Sequence, residues 1–194
     1  MDTEIPRPIV ILAASRSGSS LVAGVFHGHG CWVGRTQAPN IYNPKGFFEN
    51  LDVKERIQDA YWIDKRGDSE EFRDWIINHM KNDDSYQGGP WVVKHGAPAW
   101  WVWEDIEPQY VNVRREKNSS MASRRRMGLS MDGKLWDRHL EAFEETKKRG
   151  AVEIWPDKFT KGDFSELEHA INSCGLTYDQ KIVDNFYDRE LWHY

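Results

Sequence analysis

The side chains best suited to chemistry in this chain are one arginine in a Ser/Gly turn, a Lys–His pair, a glutamate and a dense basic run. Ile9–Leu21 reads IVILAASRSGSSL. A short apolar strand enters a turn that carries Arg16 and then opens a helix. Such a turn holds anions. Gly18 permits the tight bend, the amides of Ser17, Gly18, Ser19 and Ser20 can face inward, and the positive end of the helix dipole adds to their field. Against the nucleotide-binding pattern GxxxxGK[ST], Ala13 stands at the first Gly and Ser19 at the Lys, while Gly18 and Ser20 are kept. The usual grip on β- and γ-phosphates is lost and Arg16 supplies the charge, which points to a phosphate- or sulfate-bearing ligand other than a nucleoside triphosphate.

The second basic element, Val111–Arg126 (VNVRREKNSSMASRRR), carries six basic residues in an otherwise acidic chain. A strand that ends in arginine and runs into a serine-bearing helix can clamp a second anion. Arg124, Arg125 and Arg126 read instead as a solvated helix face. Lys94 and His95 close an apolar run, and Glu49 lies near the end of a polar, Pro/Gly-punctuated loop, Arg35–Asn50. His27, His29 and Cys31 in HGHGC have alternate spacing that does not aim three ligands at one ion, so a helix terminus and no metal site is expected.

The elements that must position these groups alternate. Strand-like runs occur at Ile9–Ala14, Cys31–Gly34, Trp91–Lys94, Tyr110–Val113 and Val152–Trp155, with helical patterns between them. That order predicts an α/β fold with a parallel sheet of five strands. Apolar stripes at Val53/Ile57/Ala60/Tyr61, Phe72/Trp75/Ile76/Met80 and Phe164/Leu167/Ile171/Cys174 predict core-facing helices. Ligands gather outside the carboxyl ends of such strands. The loops after Ala14, Gly34, Lys94 and Val113 should therefore share one rim, bringing together Arg16, Glu49, Lys94 with His95, and the run from Arg114.

Composition bounds the rest. The 194 residues suit one domain spanning 1–194, and the net charge of −5 argues against general nucleic-acid binding. No apolar run approaches the roughly 20 residues of a membrane span. The N-terminal residues lack the pattern of a signal peptide, so a cytoplasmic setting is expected. Cys31 and Cys174 read as buried thiols. Of the ten tryptophans, Trp91, Trp100, Trp101 and Trp103 crowd one segment, as core or as the lining of an apolar acceptor pocket.

Taken in order, these motifs resemble the sulfotransferases that use 3′-phosphoadenosine 5′-phosphosulfate. SRSGSSL is similar to their 5′-phosphosulfate loop, P(R/K)SG(T/S)(T/S)L; VRREKNSSMAS resembles the strand-then-helix element in which an Arg and a Ser eight residues later hold the 3′-phosphate. NPKGFFEN (43–50) resembles the NPKGYFE of bacterial members, WVVKHGAP (91–98) occupies the place of their WxxKDPR, and FYDRELWHY resembles their closing element. His95–Gly96 departs from the Asp–Pro of that pattern, and no late Arg/Lys-Gly segment is found.

The resemblance implies a P-loop NTPase-like three-layer α/β/α domain with a central, mostly parallel five-stranded sheet. It implies donor binding by Arg16, Ser17, Gly18, Ser19, Ser20, Arg115 and Ser123, with Arg114 as an alternative to Arg115. The implied activity is metal-free sulfuryl transfer to a hydroxyl or amine acceptor, with Arg16 and Lys94 supplying charge. For the base the sequence offers His95 and Glu49, His95 being preferred because imidazole titrates near neutrality. Two other readings remain: a P-loop kinase or nucleotide phosphotransferase, and a catalytically silent anion- or partner-binding protein on the same fold.

Overall fold

The structure, a computed structural model, describes residues 5–41, 43–63, 69–129 and 133–189. Strands β1 (Ile9–Ala13), β2 (Val92–Gly96), β3 (Gln109–Val113) and β4 (Val152–Ile154) form one parallel sheet in the order β2–β1–β3–β4. Between and after them run helices α1 (Ser19–Gly28), α2 (Leu51–Ile63), α3 (Ser69–Asn82), α4 (Lys117–Arg126), α5 (Gly133–Lys148), α6 (Ser165–Ser173) and α7 (Gln180–Phe186), with 3-10 turns at Ala97–Ile106 and Pro156–Lys161.

Strand alternation divides the core in two. Ile9, Ile11 and Ala13 of β1 pack with Val22 and Phe26 of α1, Leu167 and Ile171 of α6, and Val183 of α7. Val10 and Leu12 face the other way, onto Val53, Ile57, Phe72, Ile76 and Met80 of α2 and α3, Phe143 of α5 and the tryptophans of 97–106. We call these the α1 face and the tryptophan face. The expected stripes are thus core. Trp75, Phe164 and Cys174 are only partly buried, and the side chains of Ala60 and Tyr61 lie outside the described residues. The four clustered tryptophans are core as well, with Trp91 and Trp103 fully buried and their rings 6.1 Å apart.

Among the described residues the sheet has four strands. The expected strand at Cys31–Gly34 is reduced to one parallel bridge, in which Trp32 donates to the Pro90 carbonyl (3.0 Å) and accepts from the Val92 amide (2.9 Å). Gly34 ends it. Its φ of +70° turns the chain out of extended geometry, and a Cβ there would lie 2.0 Å from Asn50 Nδ2. Asn50 fills that space because it has two tasks: it donates to the Val33 carbonyl (3.2 Å) and accepts from the Val53 amide (2.9 Å), capping α2. With the Leu51 amide bonded to the Arg35 carbonyl (2.8 Å), the 35–50 loop is pinned at both ends.

Candidate functional site

The Ser/Gly turn folds as a left-handed bend. Arg16 has φ +68° and Gly18 φ +90°, and Gly18 caps α1 without any side-chain bond. For a residue with a Cβ, the left-handed region costs roughly 1–2 kcal/mol, so something must hold Arg16 there. Arg115 does so, donating from Nη1 to the Arg16 carbonyl (3.0 Å), while Arg16 donates from Nε to Ser123 Oγ (3.1 Å). Two chain-distant elements, the turn after β1 and helix α4, are thereby locked together. The first amides of α1 have no helical partners and open on the same space.

That space is a cleft of about 380 Å³, whose lining includes Arg16, Gly18, Ser19, Ser20, Arg115 and Ser123. Six sequence-predicted residues therefore meet in one place. Ser17 differs: it is fully buried, it does not line the cleft, and its hydroxyl has no hydrogen-bond partner among the described residues.

The cleft is electrostatically incomplete as it stands. Burial, then the charges of Arg115 and Arg126, pull the Arg16 pKa down; burial and Arg126 do the same to Arg115, against the opposing pull of Asp157, whose Oδ1 is 3.3 Å from Arg115 Nε. Guanidinium groups stay charged in proteins. The guanidinium groups of Arg16, Arg115 and Arg126 thus stand near enough to feel one another's charge.

Next to the cleft, Lys94 Nζ donates to Ser20 Oγ (3.2 Å) and to Glu49 Oε1 (2.9 Å), and Lys54 Nζ donates to Glu49 Oε2 (2.8 Å). Burial works to raise the Glu49 pKa, but the Lys94 charge and the two lysine hydrogen bonds overcome it, leaving the carboxyl below the usual glutamate value. Burial dominates at Lys94 and lowers its pKa despite Glu49.

His95 is held elsewhere. It follows Lys94 on β2, and adjacent strand residues point to opposite faces, so Lys94 pairs in register with Ile11 on the α1 face and His95 with Leu12 on the tryptophan face. There the Trp103 indole, which can only donate, gives its Nε1–H to His95 Nε2 (2.6 Å). The proton of the neutral ring therefore sits on Nδ1 and is donated to the Gly96 carbonyl (2.9 Å). Burial pushes the His95 pKa down to about 4. Both nitrogens are occupied in a stacked Trp pocket, and the expected approach of His95 to Arg16 is not made.

The same alternation separates the two arginines after β3. Arg114 turns to the tryptophan face, bonded to Glu153 (2.7 Å) and lying 5.2 Å from the centres of the Phe143 and Trp155 rings, while Arg115 turns to the cleft.

Other residues complete the cleft that the sequence reading did not assign to it: Lys45, Phe48, Met127, Phe186 and Tyr187, and also Arg126, which was expected on a solvated helix face and is exposed there but lines the cleft. Arg126 carried a usable signal, since it lies three residues after Ser123 and so shares its helix face. Lys45 donates to the Asn185 carbonyl (2.9 Å), and the Phe48 and Phe186 rings meet edge to face at 5.8 Å. Both rings lie in a furrow on α1. A Cβ at Gly24 would come within 2.7 Å of Phe186 and 2.9 Å of Phe48, and one at Gly28 within 2.6 Å of Ile182.

Elsewhere, His27 and His29 bond to the carbonyls of Cys31 and Val25 at the end of α1, and the Cys31 and Cys174 thiols are free, with burial pushing each pKa up to about 12. Among the described residues no group of three or more His, Cys, Asp or Glu is gathered as a metal would require, and no helix is long and apolar enough to cross a membrane. Of the closing element FYDRELWHY, residues 190–194 lie outside the described residues. No family model matches the sequence, and no curated protein matches it.

Proposed function

We propose that this chain is a sulfotransferase on a P-loop-like α/β fold, moving a sulfuryl group from 3′-phosphoadenosine 5′-phosphosulfate to a hydroxyl or amine. The observation that carries the reading is the meeting of Arg16, Arg115, Ser123 and the α1 amides around one cleft. Two anion-binding elements remote in sequence converge there, as a donor with two separated anionic groups requires.

The α1 amides and Ser19 and Ser20 hold the 5′-phosphate, and Arg115 with Ser123 takes the 3′-phosphate. The rings of Phe186 and Tyr187 offer apolar surface to the nucleoside. Arg16 and Lys94 stabilise charge on the sulfonate and on the bridging oxygen as the acceptor oxygen or nitrogen attacks sulfur and the bond to that oxygen breaks. Glu49 takes the acceptor's proton. As Lys94 turns from the carboxylate to the sulfonate, Glu49 loses one of its two ammonium partners and becomes more basic.

The closed state of Glu49 between Lys94 and Lys54 also favours a second reading, an anion-binding protein without turnover. Two measurements separate these. Adenosine 3′,5′-bisphosphate at a hundred times its Kd should stabilise the fold by roughly 2.7 kcal/mol over the ligand-free protein, and by more than ATP with magnesium does. Label from the donor should then appear on members of a panel of phenols, sugars, lipids and amines. Stabilisation without any transfer selects the silent reading, and equal or greater stabilisation by ATP rejects the donor.

A further inference from the structure

Within this sulfotransferase reading, on which the inference rests, the charge balance at the 3′-phosphate subsite is incomplete. A phosphate monoester carries about −1.5 to −2 at neutral pH. Of the two residues assigned to it, Ser123 is neutral and already accepts from Arg16 Nε. Arg115 is the only cation, and it is shared: Nη1 is bonded to the Arg16 carbonyl and Nε faces the Asp157 carboxylate at 3.3 Å. Asp188 also lines the cleft.

One further cation stands beside these groups. Arg126 closes α4 and lies one turn beyond Ser123 on the same helix face, and it lines the cleft together with Ser123, Arg115 and Arg16. The alternative use of arginines at a helix C-terminus is to complement its carbonyls. That task has other candidates in the same turn: Arg125, exposed like Arg126, and Arg124, which reaches back to Ser15 Oγ. Arg126 differs from both in facing the cleft.

We propose that Arg126 is a specificity-determining ligand of the 3′-phosphate, joining Arg115 and Ser123 and replacing the charge that Asp157 withdraws from Arg115. It distinguishes a nucleotide phosphorylated at both the 3′ and 5′ positions from one phosphorylated at the 5′ position alone.

The test is calorimetric titration of the full chain with adenosine 3′,5′-bisphosphate and with adenosine 5′-monophosphate, comparing wild type, Arg126→Gln and Arg126→Lys. Wild type should prefer the bisphosphate. Arg126→Gln should weaken the bisphosphate about tenfold or more and the monophosphate less than about twofold, with Arg126→Lys restoring part of the preference. If wild type prefers the bisphosphate and Arg126→Gln keeps that preference in full, or loses both ligands equally, the role of Arg126 is overturned while the donor reading stands. A wild type without preference overturns both.

Discussion

The two faces of the sheet use the same residue types for opposite ends. On the α1 face Arg115 lines an open cleft, and Lys94, itself buried, is paired with Glu49 beside it. On the tryptophan face the next residues along the same two strands, His95 and Arg114, are consumed by the fold, one between Trp103 and Gly96 and the other between Glu153 and two aromatic rings. A shift of one position along a strand separates a buried lysine paired with Glu49 and Ser20 beside the cleft from a histidine held among the tryptophans. Titratable character by itself therefore marks neither kind.

The strongest way to break that comparison is at the proton acceptor. With an acceptor in hand, Glu49→Gln should lower turnover by roughly 10²- to 10⁴-fold while bisphosphate affinity stays within a few-fold of wild type. Glu49→Asp, which keeps the charge but withdraws the oxygens, should fall between. If instead His95→Gln abolishes turnover in a folded protein and Glu49→Gln does not, the face assignment is reversed.

A pH experiment sharpens the other side. The His95 pKa is depressed from 6.5 to about 4 in the fold, so between these values the unfolded chain binds a proton that the folded chain refuses. Its stabilising contribution is complete above about pH 6.5 and is lost as the pH falls towards 4, to the extent of about 3 kcal/mol. His139, also depressed by burial, acts with the same sign. The difference between wild type and His95→Gln isolates the His95 share: the Tm of the variant should fall less steeply across pH 6.5 to 4. Parallel profiles would show that His95 is not sealed in its Trp pocket.

The smallest effect tests the arginine pair. Arg115→Ala, which also removes the bond to the Arg16 carbonyl, should weaken both ligands, adenosine 3′,5′-bisphosphate about tenfold more than adenosine 5′-phosphosulfate, whereas Arg114→Ala should alter Tm without changing either affinity. Equal losses with both ligands on Arg115→Ala would make that residue structural.

Much of this was legible before any coordinates. The alternation of runs predicted a parallel α/β sheet. The rim argument gathered Arg16, Glu49, Lys94 with His95 and the run from Arg114; of these, Arg16 and Arg115 line one cleft, Lys94 and Glu49 lie beside it, and His95 and Arg114 face the other way. The expected fifth strand does not form among the described residues: the positive φ of Gly34 and the intrusion of Asn50 stop the apolar run at a single bridge. The expectation for His95 erred differently: a rim places strand ends, and the period of two then decides which face each side chain takes. That second step was open to the sequence, since Lys94 and His95 are neighbours. Finding Trp103 as the partner of His95 was not, because it depends on how the turns after β2 fold back.

The furrow that Gly24 and Gly28 leave on α1 ties the cleft to the order in which the molecule is assembled. The sheet and both cores are complete with residues up to α6, apart from Val183, but the aromatic wall of the cleft exists only once α7 has settled onto the two glycines. Ligand affinity and the docking of α7 are then one linked equilibrium. Under the proposed function, a donor held in the cleft would also hold α7 in its seat, and a chain with its sheet formed but α7 unseated would lack the Phe186 part of the cleft wall.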